Sequence, residues 1–272
     1  VTAFHTLLID IGNTRTKWRL VDPKEGFLPS DPQGVVPLLE LERLGELWRG
    51  LPIQAAWIAN VASADALASV RSLLETAQPG AEQSVLVATS EQAGVVNCYR
   101  KPERLGADRW AQLIGARSLY PGDNVLIASV GTATTIDLLL ADGRFEGGVI
   151  LPGIALMRLA LSHRTAALPL ARGHYVPLAR NTDDAIASGI LHAQAGAIER
   201  VLRESGLVAR ADPAGPVSAL DTALKEAVCL LTGGDAALVL PRLPFFATIA
   251  DNLVLRGLLE VAREVPLVRA KT

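Results

Sequence analysis

The sequence predicts an α/β protein assembled from two related halves, and three observations predict it. Half of the 272 residues are hydrophobic, enough to bury a substantial core. A strand-turn-strand pattern that opens the chain at Thr6 returns at Asn124. Around these two units, stretches of helical spacing alternate with short strand-like runs, the order expected of an α/β architecture.

From Thr6, the apolar run Leu-Leu-Ile-Asp-Ile ends in the turn formers Gly12 and Asn13, and an alternating run over residues 16–21 follows, which reads as a β-hairpin with a polar tip. Strand-like runs come next at residues 56–61 and 84–88, with helical spacing at 67–77 and 110–119. The second hairpin opens at Asn124 with Val-Leu-Ile-Ala-Ser-Val-Gly131-Thr-Ala-Thr-Thr, continues over residues 136–141 and closes at the Asp142-Gly143 turn signal. Gly12 and Gly131 lie 119 residues apart, close to half the chain; a period that long indicates a duplicated domain rather than a solenoid. The turn at Tyr120-Pro-Gly-Asp123 is the natural seam, giving domains over 1–119 and 120–272 that are expected to face one another across a cleft. The second half adds an Ala-rich helix over 183–204, a Pro/Gly-rich loop over 212–216, a helix from Thr222, and a last helix near 249–263 able to pack back on the first domain.

Charge and motif content exclude several function classes. Lys and Arg number 26 against 28 Asp and Glu, so the chain lacks the basic footprint of a nucleic-acid or anionic-membrane binder. Cys98 and Cys229 form no disulfide framework, the N-terminus has no basic signal-peptide region, and no apolar run is long enough to span a bilayer. A cytoplasmic protein is the expectation. His5, His163, His174 and His192 fall at no chelating spacing, which disfavours a structural zinc site. The Walker P-loop, the dinucleotide GxGxxG fingerprint and the GxSxG nucleophile elbow are all missing.

Four motifs carry chemistry. In Asp10-x-Gly12-Asn13-Thr14, the glycine admits close approach of a polyphosphate, Thr14 and backbone N–H groups can donate to its oxygens, and Asp10 can hold a hydrated divalent cation. The same residues also read as an ordinary Asn-containing turn. Gly131-Thr132-Ala133-Thr134-Thr135 repeats the pattern, and two such tips can grip one phosphate chain; taken singly, a Thr-rich turn is a decorated strand edge. In Gly106-Ala107-Asp108-Arg109, the carboxylate can accept a substrate hydroxyl proton while the arginine holds a substrate anion, or Asp108 can simply complement the start of a helix. Thr232-Gly233-Gly234-Asp235 would let a purine ring lie against backbone, and reads equally as a turn before a helix.

Taken together with Gly147-Gly-Val-Ile-Leu-Pro-Gly153 and Thr165-Ala-Ala-Leu-Pro169, these motifs, in this order over nearly the whole chain, resemble type III pantothenate kinases, including the Bvg accessory factor branch. The resemblance implies duplicated actin-like, ribonuclease H-like ATPase domains and transfer of the ATP γ-phosphoryl group to pantothenate, the first step of coenzyme A synthesis. It implies that Asp10, Ile11, Gly12, Asn13, Thr14, Arg15, Thr16 and Lys17 bind ATP phosphates with Mg²⁺ held by Asp10 through water, and that Gly131 and Thr132 contact ATP. It further implies that Asp108 is the proton acceptor and that Tyr99, Gly106, Ala107, Arg109 and Thr182 line the pantothenate site, Thr182 near the interface of a homodimer. On the residues alone, Tyr99 is equally an edge-strand aromatic and Thr182 equally an N-cap. Family members usually carry aspartate where this chain has Ser129, the site of a monovalent cation, so independence from potassium or ammonium is the expectation. Two rival readings stand beside the kinase: a non-catalytic accessory protein on the same fold, and a kinase for another small hydroxyl acceptor.

Overall fold

The computed structural model describes residues 5–164, 173–211 and 225–265. The chain forms two compact units, one running to Pro121 and resuming at Asn252, the other spanning Gly122–Asp251.

In the first unit, β1 (Thr6–Ile11), β2 (Arg15–Val21), β3 (Gln33–Pro37), β4 (Ala55–Asn60) and β5 (Glu82–Val85) form a sheet ordered β3-β2-β1-β4-β5. β1 to β3 are antiparallel in succession, while β4 is parallel to β1 and β5 to β4. The opening apolar run shows no alternation because β1 is the middle strand, with Leu7, Leu8, Ile9 and Ile11 all fully buried. Helices α1 (Arg43–Leu47) and α2 (Ala64–Ala77) contribute Leu44, Val70 and Leu74 to a core in which Trp18 and Trp48 meet edge-to-face at 6.3 Å. A short hairpin, β6 (Glu91–Gln92) and β7 (Val95–Asn97), then leads to α3 (Ala107–Leu119).

The second unit contains β8 (Asn124–Val130), β9 (Ala133–Leu139), β10 (Arg144–Pro152), α4 (Ile154–Arg164), α5 (Thr182–Glu204), β11 (Leu207–Ala209), β12 (Lys225–Thr232), α6 (Ala236–Val239) and β13 (Thr248–Ile249). Its strands run β10-β9-β8-β12, antiparallel through the first three and parallel between β8 and β12. This is the connectivity of the first sheet, strand for strand. The fifth position is shared by β11 beside the start of β12 and β13 beside its end. The helix expected from Thr222 is corrected here: from Lys225 the chain is a strand, buried between parallel neighbours, so Ala227 to Leu231 are apolar without alternation and mimic a buried helix. The Pro/Gly-rich loop over 212–216 and the 165–169 motif lie outside the described residues.

The last helix, α7 (Leu253–Glu264), belongs to the first unit and packs on α3. The helices meet through reciprocal glycines: a Cβ on Gly257 would lie 1.9 Å from the Ala111 carbonyl, and one on Gly115 would lie 2.5 Å from that of Leu253. Backbone-to-backbone contact of this kind fixes α3 firmly, and α3 carries Asp108 in its first turn.

Candidate active site

In the first unit the β1–β2 tip is a three-residue loop over 12–14. The Gly12 N–H donates to the Arg15 carbonyl at 3.1 Å, and a Cβ on Gly12 would come within 3.2 Å of that same oxygen. Pairing of Asp10 with Lys17 and of Ile11 with Thr16 puts each pair on one face of the sheet. Ile11 and Thr16 are fully buried, so their side chains cannot meet a ligand, whereas Asn13, Thr14 and Arg15 are exposed and Asp10 and Lys17 partly so. Burial, and secondly the charge of Asp108, raise the Asp10 carboxyl to about 7 against the pull of Lys17 and Arg15.

The structure thus brings Asp10 and Asp108, far apart in sequence, into electrostatic contact. Asp108 sits in the first turn of α3, whose N-cap is Gly106 with no capping side chain. Its Oδ1 accepts the Arg109 N–H at 2.7 Å, in keeping with the helix-start reading. A Cβ on Gly106 would lie 2.7 Å from that oxygen: the carboxylate occupies the space a side chain would take. Burial pushes Asp108 above the ordinary carboxylate range, opposed by the Arg109 N–H and guanidinium. Arg109 is itself buried; its Nη1 donates to the Tyr99 hydroxyl at 2.9 Å, and its guanidinium lies 5.6 Å from the Tyr99 ring centroid. Ala107 is buried beside them.

In the second unit the equivalent tip is the two-residue turn Gly131-Thr132, closed by the Gly131 N–H on the Ala133 carbonyl at 3.1 Å, with Thr132 exposed. Two further motif glycines pack on it. A Cβ on Gly153 would lie 1.9 Å from the Gly131 carbonyl, and the Gly153 N–H donates to the Thr132 carbonyl at 3.0 Å. Gly233, at φ +92°, has the Val130 carbonyl 2.2 Å from where its Cβ would stand, and the Asp235 N–H donates to the same carbonyl at 3.1 Å. Sequence reasoning assigned Gly153 no task; the Pro-Gly step ending a strand was the available signal. Ser129 pairs with Thr135 on β9 and with Thr232 on β12, which makes a row of hydroxyls across three strands.

Thr182 is exposed at the start of α5, and the cap is not Thr182 but Asn181, whose Oδ1 accepts the Asp184 N–H at 2.9 Å. Thr182 lines a largely apolar groove of about 930 Å³ with Pro152, Met157, Leu161, Ile186 and Ile190. Among the described residues no group of three or more His, Cys, Asp or Glu could hold a metal unaided, and no helix is long and apolar enough to cross a membrane.

Two sheets of one connectivity, each with a glycine tip, and a carboxylate pair in the first unit define a protein with the sugar-kinase and actin-like ATPase fold. Solved structures agree on that fold: a 2-dehydro-3-deoxygalactonokinase from Sinorhizobium meliloti is 14% identical with a TM-score of 0.57, covering 96% of this chain and 100% of that one. A Baf family transcriptional activator from Campylobacter jejuni, 19% identical, also gives 0.57, over 95% and 98%. Residues 6–204 match the family described as Type III pantothenate kinase. Proteins of that name from Aromatoleum aromaticum and Burkholderia thailandensis are 42% identical over 259 residues (95% of this chain, 98% of that protein) and 39% identical over 274 residues (94% and 97%). The chain belongs to the type III pantothenate kinase family.

Proposed function

We propose that this chain is a cytoplasmic ATP-dependent kinase that phosphorylates the primary hydroxyl of pantothenate, giving 4′-phosphopantothenate for coenzyme A synthesis. The observation that carries the reading is the series in the first unit in which the charge of Asp10 meets that of Asp108, Asp108 meets Arg109, and Arg109 bonds the Tyr99 hydroxyl. Asp108 takes the hydroxyl proton as the hydroxyl oxygen attacks the γ-phosphorus; the bond from phosphorus to the β,γ-bridging oxygen breaks and ADP leaves. Burial raises the proton affinity of Asp108 and so suits it to this role. Arg109, braced by Tyr99, binds the pantothenate carboxylate, with Gly106 and Ala107 lining the acceptor and Thr182 serving the same substrate. The tips over residues 10–17 and 131–132 hold the ATP phosphates, with the exposed Thr14 and Thr132 hydroxyls as donors.

The residues fit a divalent cation. Asp10 is held partly buried near a second carboxylate, a placement that favours a bound cation over two bare charges, and the remaining ligands fall to water and phosphate, as magnesium prefers. Bound Mg²⁺ would neutralise charge on the transferring phosphoryl group. With Ser129 among hydroxyls, turnover does not depend on potassium or ammonium; strong stimulation by potassium chloride over sodium chloride would count against that. The half-exposed Leu156 and Leu159 beside the Thr182 groove suit a homodimer face, checked by sedimentation.

The test is ADP release from MgATP with a panel of acceptors, beside Asp108→Asn. Turnover with pantothenate, lost in the variant while ATP still binds, is expected. ADP with a sugar only would overturn the substrate; absence of ADP with every acceptor would favour a non-catalytic accessory role.

A further inference from the structure

We propose that Asn97 is a positioning residue for the acceptor: its side chain orders the segment between β7 and α3 and so sets where Tyr99 and the Gly106–Arg109 turn stand. The proposal rests on the pantothenate reading above. Asn97 ends β7 and is only 6% exposed, a costly place for a carboxamide unless both of its halves are used. Both are. Its Oδ1 accepts the Tyr99 N–H at 3.1 Å, an Asx-turn that bends the chain as it leaves the strand. Its Nδ2 donates to the Pro102 carbonyl at 3.3 Å, and that carbonyl also accepts the Leu105 N–H at 3.1 Å in the 3₁₀ turn over Pro102–Arg104. The Asn97 N–H in turn donates to the Ser90 carbonyl at 2.9 Å, which anchors the residue to the hairpin.

One side chain therefore ties down two departure points: that of the Tyr99 phenol, and that of buried Leu105, which delivers Gly106 and Asp108. The Arg109 to Tyr99 hydrogen bond closes the arrangement from the other end. Apolar burial gives the segment little help, since Cys98, Arg100, Lys101, Glu103 and Arg104 are all exposed. The order of the acceptor side is thus carried by the Asn97 amide.

The test compares Asn97→Leu, which keeps the volume and loses both side-chain bonds, with Asn97→Asp, which keeps the acceptor half. Steady-state KM for pantothenate and for ATP is measured together with hydrogen exchange over residues 98–106. Asn97→Leu is expected to raise the pantothenate KM about tenfold with the ATP KM unchanged, and to speed exchange in that segment alone. Asn97→Asp should keep the Tyr99 amide protected and recover part of the KM. An unchanged pantothenate KM, or one that rises in step with the ATP KM while protection falls throughout the chain, overturns the proposal. Should the unaltered chain fail to phosphorylate pantothenate, the functional reading falls instead. The exchange comparison still decides whether Asn97 orders the segment, and unchanged exchange sinks the inference.

Discussion

Gly106→Ala moves the proposed base without changing its chemistry. The backbone at Gly106, φ −58° and ψ 138°, is open to alanine, so the substitution introduces no main-chain strain. The new methyl would stand 2.7 Å from Asp108 Oδ1, well inside van der Waals contact, and what it meets is the free end of a side chain rather than backbone. The carboxylate must therefore swing away and give up its 2.7 Å bond from the Arg109 N–H. Loss of that charged bond costs about 1.5–3 kcal/mol, offset by about 0.4–1 kcal/mol from the smaller entropy of the unfolded chain. The variant should fold, with a Tm lower by only a few degrees. Catalysis should suffer far more, because a base displaced by about 1 Å costs on the order of 100-fold in kcat. Coupled ADP release at saturating pantothenate, with differential scanning fluorimetry alongside, measures both. Turnover within about threefold of the unaltered chain would refute the claim that this carboxylate is held in place for proton transfer.

Asp10→Asn should act on stability with a definite pH signature. The folded chain holds the Asp10 proton up to about 7 whereas the unfolded chain releases it near 3.8, so the native state binds the extra proton between those values and loses stability as pH rises through them. The asparagine variant should be more stable than the parent at pH 8, by up to roughly 4 kcal/mol, and little different at pH 4, while losing activity. Urea unfolding at the two pH values checks it, and an equal difference at both would remove the buried-carboxylate account. Gly153→Ala puts a methyl 1.9 Å from the Gly131 carbonyl, a backbone atom that cannot rotate aside. We expect about a tenfold rise in the ATP KM with a destabilisation of about 1–3 kcal/mol; an ATP KM that stays put argues that the second tip does not contact nucleotide.

The hairpins at β1–β2 and β8–β9 were legible because a middle strand shows an unbroken apolar run and its turn shows a glycine, and α5 was legible as an Ala-rich stretch, whose buried face the structure shows to carry Ile186, Ile190, Ile198 and Leu202. The same lack of alternation that revealed β1 hid β12. The strands β6 and β7 are two and three residues long, too short to carry a pattern, although the segment carrying Tyr99 follows directly from them. At the site, Asp10, Asp108 and Arg109 could be named as candidates from residue type and order, and Tyr99 only through the family resemblance. Asn97 and Gly153 could not, because their tasks arise from which carbonyl or amide the folded backbone brings within reach. Thr182 shows the same limit, since the cap fell one residue earlier, on Asn181, a choice that backbone angles make.

Duplication explains why the two tips should differ in chemistry. Asp10 and Ser129 hold the same position, two residues before the loop glycine, on middle strands of identical connectivity. Asp10 is paired with Lys17 and Ala59, whereas Ser129 is paired with Thr135 and Thr232. A carboxylate only accepts hydrogen bonds and repels phosphate, so it can serve a triphosphate only through a cation, and burying it raises its proton affinity until that cation arrives. A hydroxyl donates to phosphate directly and needs no counter-ion. On the proposed reading the first copy meets phosphate through a cation and carries the pH-dependent group, whereas the second has neutral hydroxyls at the matching position. The two hairpins share strand order and the loop glycine but not the side chain at this position, nor the length of the tip.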